Sequence, residues 1–401
     1  MGRFFKDEMF DAQFLRALGH THDGGADIGE CLALAARIPD RDPERWYAEW
    51  TALAERIYDA GQASLVAGHA VSARDAFLRA SNYFRASYTF LFQPPLDPRA
   101  VAAYDRQAEA FARAMALMER PAESIEIPFG DTTLHGLFFA PDTSGTPRRT
   151  LILTGGYDGT AEETYFMSGR AALARGYNVL AYDGPGQGRA LFKQGLTLRP
   201  DWEAVLAPVM DHACTRPEVD QGRIALMGIS LGGYLAPRAA AFEPRLAALV
   251  ADPGQFSVLE EARARLPGWI GRQLPDGNRL VLAVLGRMLD RRLGDISGGW
   301  ALRRGLLVNG CATPLDFLKS TAAYTNEGHA REIACPTMIC GAQGDAIGIT
   351  ARRLFDALTC EKRFHVFAAA EGAGGHCESG ARSLFNREVF DWLDTVLDRA
   401  G

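Results

Sequence analysis

Three patterns of apolar and polar positions divide the chain. From the start to about Pro121, apolar residues recur at steps of three and four, the spacing of one helix face. Trp46, Trp50, Leu53 and Ile57 follow Asp42-Pro43, a start signal with proline in the first turn. Ser72 is placed to cap a second helix, whose apolar face carries Ala76, Leu78, Ala80, Tyr83, Phe84 and Tyr88 until Pro94-Pro95 ends the run. Asp97-Pro98 opens a third, with Val101, Tyr104, Ala108, Phe111, Met115 and Met118 on one side. Periodic aromatics usually face a core, so the stripe reads as packing and not as ligand contact. No repeat of tetratricopeptide period is present.

From Glu123 the period shortens. Runs 124–129 and 134–139, joined by Gly130-Asp131, predict a hairpin. Runs 150–153, 178–182, 223–227, 247–251, 337–340 and 363–367 predict buried strands, most of them separated by helical stretches. Eight strands, the last six alternating with helices, imply an open, mostly parallel α/β sheet with helices on both faces and an antiparallel hairpin at its start. The third pattern lies between Pro253 and Arg331, where amphipathic runs are broken at Pro267-Gly268, Pro275-Asp276-Gly277 and Gly298-Gly299. This stretch is too long for a simple crossover and predicts a helical cap above the carboxyl ends of the strands, where ligands bind in such sheets. The expected organisation is a helical domain at 1–121, a core at 122–254 and 332–401, and a cap at 255–331.

Composition narrows the partners. With 401 residues, 47% of them apolar, burying a core is no difficulty. The net charge of −6 is spread over interspersed acids and bases, and basic residues gather only in short pairs such as Arg291-Arg292 and Arg303-Arg304, so neither nucleic acid nor a membrane surface is expected as a partner. Seven cysteines, Cys31, Cys214, Cys311, Cys335, Cys340, Cys360 and Cys377, are odd in number and lack metal-ligand spacing, which fits a reducing cytoplasm. Met1 to Lys6 has no apolar core of a signal peptide, Lys6 breaks the myristoylation pattern, and no segment reaches the length of a membrane span. A small-molecule substrate is the expected partner, with a homodimer formed through the aromatic-rich helical part.

The candidate chemistry centres on Gly228-Ile229-Ser230-Leu231-Gly232-Gly233, which joins an apolar run to a helical one. Glycines around a serine at a sharp strand-to-helix turn push the hydroxyl out as a nucleophile. A helix-capping serine would explain the helix but not the paired glycines. Such a hydroxyl needs a base, and the base needs an acid to fix its tautomer. Asp345 follows the seventh strand and His376 the eighth, giving the order Ser, acid, His. Asp252, at the end of the sixth strand, is the rival acid. His365, inside the last strand, reads as a core histidine, and the other histidines form no metal grouping. Oxyanion donors are expected from the N–H of Leu231 and that of Gly156 or Tyr157 in the loop Thr154-Gly155-Gly156-Tyr157-Asp158-Gly159. Asp158, in the same loop, is a candidate substrate contact. That loop lacks the Lys-Ser/Thr pair of a phosphate cradle, so no cofactor and no metal are expected. Asp183-Gly184-Pro185-Gly186-Gln187-Gly188 reads as a structural turn bordering the site.

These residues, with Arg199-Pro200-Asp201-Trp202-Glu203 and the elbow, carry a resemblance. The chain resembles the α/β hydrolases with a helical N-terminal extension, a group that includes dihydroxypseudooxynicotine hydrolase, the fungal yellowish-green heptaketide hydrolase and the FrsA-like esterases. The resemblance spans essentially the whole chain. It implies cleavage next to a ketone carbonyl, releasing an acid, with Ser230, Asp345 and His376 as the matching triad and the site between the core and the helical parts. Members that cleave C–C bonds use an acidic residue early in the cap, for which Glu260 and Glu261 are the candidates. Thr154 departs from the histidine common before the oxyanion glycines, and the cap is long. The expected reaction is serine-dependent hydrolysis of a C–C, ester or amide bond in a small aromatic or polyketide-type metabolite. The alternatives are acyl transfer or cyclisation on the same triad, and a non-catalytic scaffold.

Overall fold

A computed structural model describes residues 4–399. The expectation about a leader or lipid signal in Met1 to Lys6 therefore falls partly outside the described residues. Among these residues the strands form one eight-stranded sheet in the order β1-β2-β4-β3-β5-β6-β7-β8. They are β1 (Glu123–Phe129), β2 (Thr132–Phe139), β3 (Arg148–Thr154), β4 (Asn178–Tyr182), β5 (Val219–Ile229), β6 (Ala248–Asp252), β7 (Thr337–Ala342) and β8 (Lys362–Phe367). β1 and β2 are an antiparallel hairpin, β2 runs antiparallel to β4, and every later pairing is parallel.

Alternate residues of the central strands feed two cores, because successive side chains point to opposite faces. Leu151, Leu153, Val179, Ala225, Met227 and Val250 face one core. Ile152, Leu180, Ile224, Leu226, Leu249 and Ile339 face the other. The first core is shared with the last helix, Arg382–Arg399, and with the helices at the front of the chain, Glu8–Gly19, Ile28–Ala35, Pro43–Val66, Ala70–Ser87 and Pro98–Ala116. The second is closed by Glu203–Cys214, Gly232–Ala240 and Ala351–Ala357.

Asp42 and Asp97 cap their helices through their side chains, accepting from the N–H groups of Arg45 and Arg99. Ser72 does not: the helix starts a turn earlier, at Ala70 after Gly68, so Ser72 falls inside the first turn. The aromatic stripe is buried. Phe10 stacks on Phe90 at 4.2 Å, and the indole N–H of Trp46 donates to the Ala86 carbonyl at 2.8 Å. Trp46, Trp50, Tyr83, Phe84 and Tyr88 are all enclosed. The stripe thus packs inward, as its period indicates.

Between β6 and β7 lie the helices Val258–Ala264, Gly268–Gly271, Arg279–Arg292, Ile296–Asn309 and Pro314–Ser320. Gly298-Gly299 does not break this region as expected from its sequence. Both glycines sit in the first turn of Ile296–Asn309, where Asp295 caps the helix. Leu282, Leu285, Leu289, Leu302 and Leu318 form a core of their own here. The region meets the front helices at Trp300, whose N–H donates to the Thr89 carbonyl at 2.8 Å. Among the described residues no helix is long and apolar enough to cross a membrane, and all seven cysteines are free thiols.

Candidate active site

β5 ends at Ile229 and the next helix begins at Gly232, so the chain turns within two residues. Ser230 sits at the turn with φ +59°, a left-handed conformation that side chains rarely adopt. The crowding explains the glycines. A side chain at Gly228 would strike the Gly232 carbonyl, and one at Gly232 would strike that of Thr154. The Ser230 N–H is held by the Asp252 carbonyl at 2.6 Å.

Ser230 Oγ lies 2.8 Å from His376 Nε2, and His376 Nδ1 lies 2.7 Å from Asp345 Oδ2. The other Asp345 oxygen accepts from the Ile347 N–H at 2.9 Å. The carboxylate is buried, whereas the imidazole is about one-third exposed and Ser230 is partly exposed. The loop carrying His376 is bent sharply, with Cys377 and Glu378 both at φ +48°. Arg382 holds that bend by donating to the Cys377 carbonyl at 2.9 Å.

Asp252, the rival acid, is elsewhere. It is fully buried beside Glu378, and neither carboxyl accepts a hydrogen bond from a described donor. Burial pushes both carboxyls above their usual range. His365 is not a core residue. β8 is the sheet's edge, and the ring is only half-buried, 3.8 Å from Glu388.

The loop after β3 presses against the serine. A Cβ on Gly156 would lie 2.6 Å from Ser230 Cβ and 3.0 Å from its Oγ. Gln187, within the turn read as merely structural, donates from Nε2 to the carbonyls of Gly155 and Gly156 at 2.8 and 3.0 Å. In a trans peptide the N–H points away from the preceding carbonyl, so anchoring the Gly156 carbonyl turns the Tyr157 N–H the other way. Among the described residues neither that N–H nor the one of Leu231 donates to a protein acceptor.

Asp158 does not reach toward a substrate, because three guanidiniums claim its carboxylate. Arg16 and Arg85 approach Oδ2 at 3.1 and 3.2 Å, and Arg304 approaches Oδ1 at 3.4 Å. Arg16 also grips Glu163 with two bonds, of 2.7 and 2.6 Å. Burial pushes both acids up, but the arginines outweigh it and hold Asp158 and Glu163 well below the usual carboxylate range.

Above Ser230 is a cavity of about 430 Å³, lined by Tyr157, Leu231, Glu261, Leu302, Arg304 and Phe317 among others. Glu261 is buried and accepts from Gln255 Nε2 at 2.8 Å and from the Gly348 N–H and the Thr350 hydroxyl at 3.1 Å each. Burial raises its pKa despite those donors. Glu260 is not brought to the site. Neighbours on a helix diverge by about 100°, and Glu260 points outward to an ion pair with Arg353. Arg16, Arg85, Gln187 and Arg304 carry no sequence signal beyond the Asp183–Gly188 turn and the Arg303-Arg304 pair. Among the described residues no group of three or more His, Cys, Asp or Glu is gathered to hold a metal.

Known proteins match this architecture along its length. The model of the alpha/beta hydrolase family matches residues 134–383. The hydrolase acrC of Aspergillus aculeatus is 36% identical, with 98% of each chain covered. A 20-hydroxy-prefusarin hydrolase of Gibberella moniliformis is 35% identical over 99% of this chain and 98% of its own. Among solved structures, that of 2,6-dihydroxy-pseudo-oxynicotine hydrolase superposes with a TM-score of 0.76 at 23% identity, covering 95% of both chains. The chain belongs to the α/β hydrolase family and is an enzyme of that family, a hydrolase with an N-terminal helical extension.

Proposed function

We propose that the enzyme cleaves a carbonyl compound through an acyl-enzyme on Ser230, and that its substrate is a small aromatic or polyketide-type metabolite. The observation that carries this reading is the unbroken relay of 2.8 and 2.7 Å from Ser230 through His376 to Asp345. His376 Nε2 takes the hydroxyl proton as Oγ attacks the carbonyl carbon, while Asp345 holds the tautomer and stabilises the imidazolium. The resulting oxyanion lies between the N–H groups of Leu231 and Tyr157. His376 returns its proton to the leaving group, and water attacks the acyl-enzyme by the same route to release an acid.

Glu261 favours a ketone substrate. Carbon leaves readily once it is protonated, and the Glu261 carboxyl, whose pKa burial raises, lies in the same cavity. When it gives its proton to the leaving carbon in place of His376, the proton taken from Ser230 passes from His376 through solvent to the Glu261 carboxylate, which frees the imidazole to activate water. The fungal relatives named as hydrolases, one of them for 20-hydroxy-prefusarin, support a small-metabolite substrate.

A fluorophosphonate probe tests the nucleophile: it should label the wild-type enzyme and not Ser230→Ala. In a screen of aryl ketones, β-diketones, aryl esters and anilides, Glu261→Gln should depress ketone cleavage far more than ester hydrolysis. Equal losses on both would remove the case for carbon protonation.

A further inference from the structure

Three arginines line the cavity that holds Ser230. Arg265 and Arg292 are exposed at its mouth, whereas Arg304 lies deeper, in the helix Ile296–Asn309. Its guanidinium rests 4.1 Å from the Trp300 ring centre and 5.0 Å from that of Tyr157, which fixes its plane. Arg16 and Arg85 spend their donors on carboxylates. Arg304 does not. Among the described residues it donates no hydrogen bond, its Nε is buried without a partner, and its one ionic neighbour is Asp158 at 3.4 Å, shared with the two other arginines.

The surrounding charges do not cancel. Three guanidiniums, Arg16, Arg85 and Arg304, face two carboxylates, Asp158 and Glu163. His20, against Glu163, has its pKa lowered chiefly by burial and adds no negative charge. Glu261, in the same cavity, already takes three donors of its own, none of them from Arg304. One positive charge with unused donors is left at the cavity wall, and its Nε, buried without a partner, is costly to leave unmet.

We propose that Arg304 anchors a carboxylate carried by the substrate, remote from the carbonyl that Ser230 attacks. The planar fork of a guanidinium matches the two oxygens of a carboxylate. A single excess charge, with Asp158 and Glu163 already counted against it, suits a monoanion better than a phosphate dianion. The same cavity wall includes Leu302, Phe317 and Leu318, so it can accommodate an apolar segment joining the two ends of the substrate. The assignment rests on Ser230 being the nucleophile of this cavity.

Protection of Ser230 from a fluorophosphonate separates the two ideas. Phenylalkanoates of increasing chain length are compared, as inhibitors of labelling, with the primary amides of the same acids. The wild type should bind the best acid about tenfold or more tightly than its amide. In Arg304→Gln that preference should vanish, and in Arg304→Lys it should persist in part, since the charge remains without the fork. Thermal unfolding reports whether each variant is folded, and the wild-type comparison stands without either. Equal protection by acid and amide in the wild type, or an undiminished preference in folded Arg304→Gln, overturns the anion site. Absence of any labelling instead counts against the nucleophile.

Discussion

Asp345 and Asp252 both end strands at the same rim of the sheet, yet only Asp345 reaches the imidazole. Asparagine at 345 keeps the shape but cannot hold the productive tautomer, so kcat should fall roughly 10³–10⁴-fold with little change in unfolding temperature. Asparagine at 252 should act on stability instead. Burial raises the Asp252 and Glu378 carboxyls together, and the two share a pocket with no described donor. A carboxyl raised in the fold contributes its stability below the unfolded pKa, about 4, and loses it as pH climbs through the folded value. Asp252→Asn should therefore unfold at a higher temperature than wild type at pH 8, with the gap narrowing by pH 5; calorimetry at both pH values would expose a constant gap, which the shared burial does not permit. Sequence could separate these two acids only by position, Asp345 having a glycine beside it in a loop after a strand. Arg304 was beyond that kind of reading, since an arginine on a helix is ordinarily a solvated charge and only its neighbours reveal that it lacks an acceptor.

The segment after β3 is an element with little regular structure, and two devices keep it against the serine. One is Gln187, whose amide bridges the Gly155 and Gly156 carbonyls. Leucine at this position would leave the Gly155 carbonyl unmet and the Gly156 carbonyl with only the long 3.4 Å bond from the Gly159 N–H, at about 1–3 kcal/mol for a carbonyl left unmet, and free the oxyanion loop to drift. Steady-state kinetics of Gln187→Leu should show kcat lowered about tenfold to a hundredfold with KM nearly unchanged, because misplacement acts mainly in the transition state. The other device is the ionic cluster tying Asp158 and Glu163 to the helices Glu8–Gly19 and Ala70–Ser87 through Arg16 and Arg85. Arg16→Gln breaks a buried network and should cost about 3–5 kcal/mol. The depressed carboxylates supply their full stability above pH about 4 and lose it as pH falls below that, so the deficit of this variant, read from denaturant midpoints, should stay nearly constant from pH about 7 to about 5 and shrink only as pH falls below about 4. The strands themselves were legible, because a fully buried parallel strand is a continuous apolar run between turns. Local signals misled where packing decided: Gly298-Gly299 looks like a break until Asp295 caps the turn that contains it, and His365 looks buried until β8 is known to be the edge.

At the scale of the whole molecule, the front helices and the sheet share one hydrophobic core, whereas the region between β6 and β7 adds one of its own and reaches the two sheet cores through Trp300 and Val308. Phe111 of the front helices packs on Tyr165 at 5.5 Å and near Phe139 at 6.4 Å, so removing residues 1–121 would bare one face of the sheet. The helical character of that front part is plain in its period of three and four. Its burial partner is not, since the spacing says which face is apolar and nothing about what covers it. A unit that shares a core unfolds with it, while a helix that packs only among the leucines of the added core, as Arg279–Arg292 does, can open alone. Native-state hydrogen exchange should therefore show amides in the helix Arg279–Arg292 exchanging by a lower-energy opening than those of Pro43–Val66, Ala70–Ser87 and β3 to β6, which should exchange together near the global limit. If the front helices instead exchange with the β6–β7 region and ahead of the sheet, they are an appended layer and not part of the enzyme's core, and the buried arginines that link them to the oxyanion loop could not hold that loop in place.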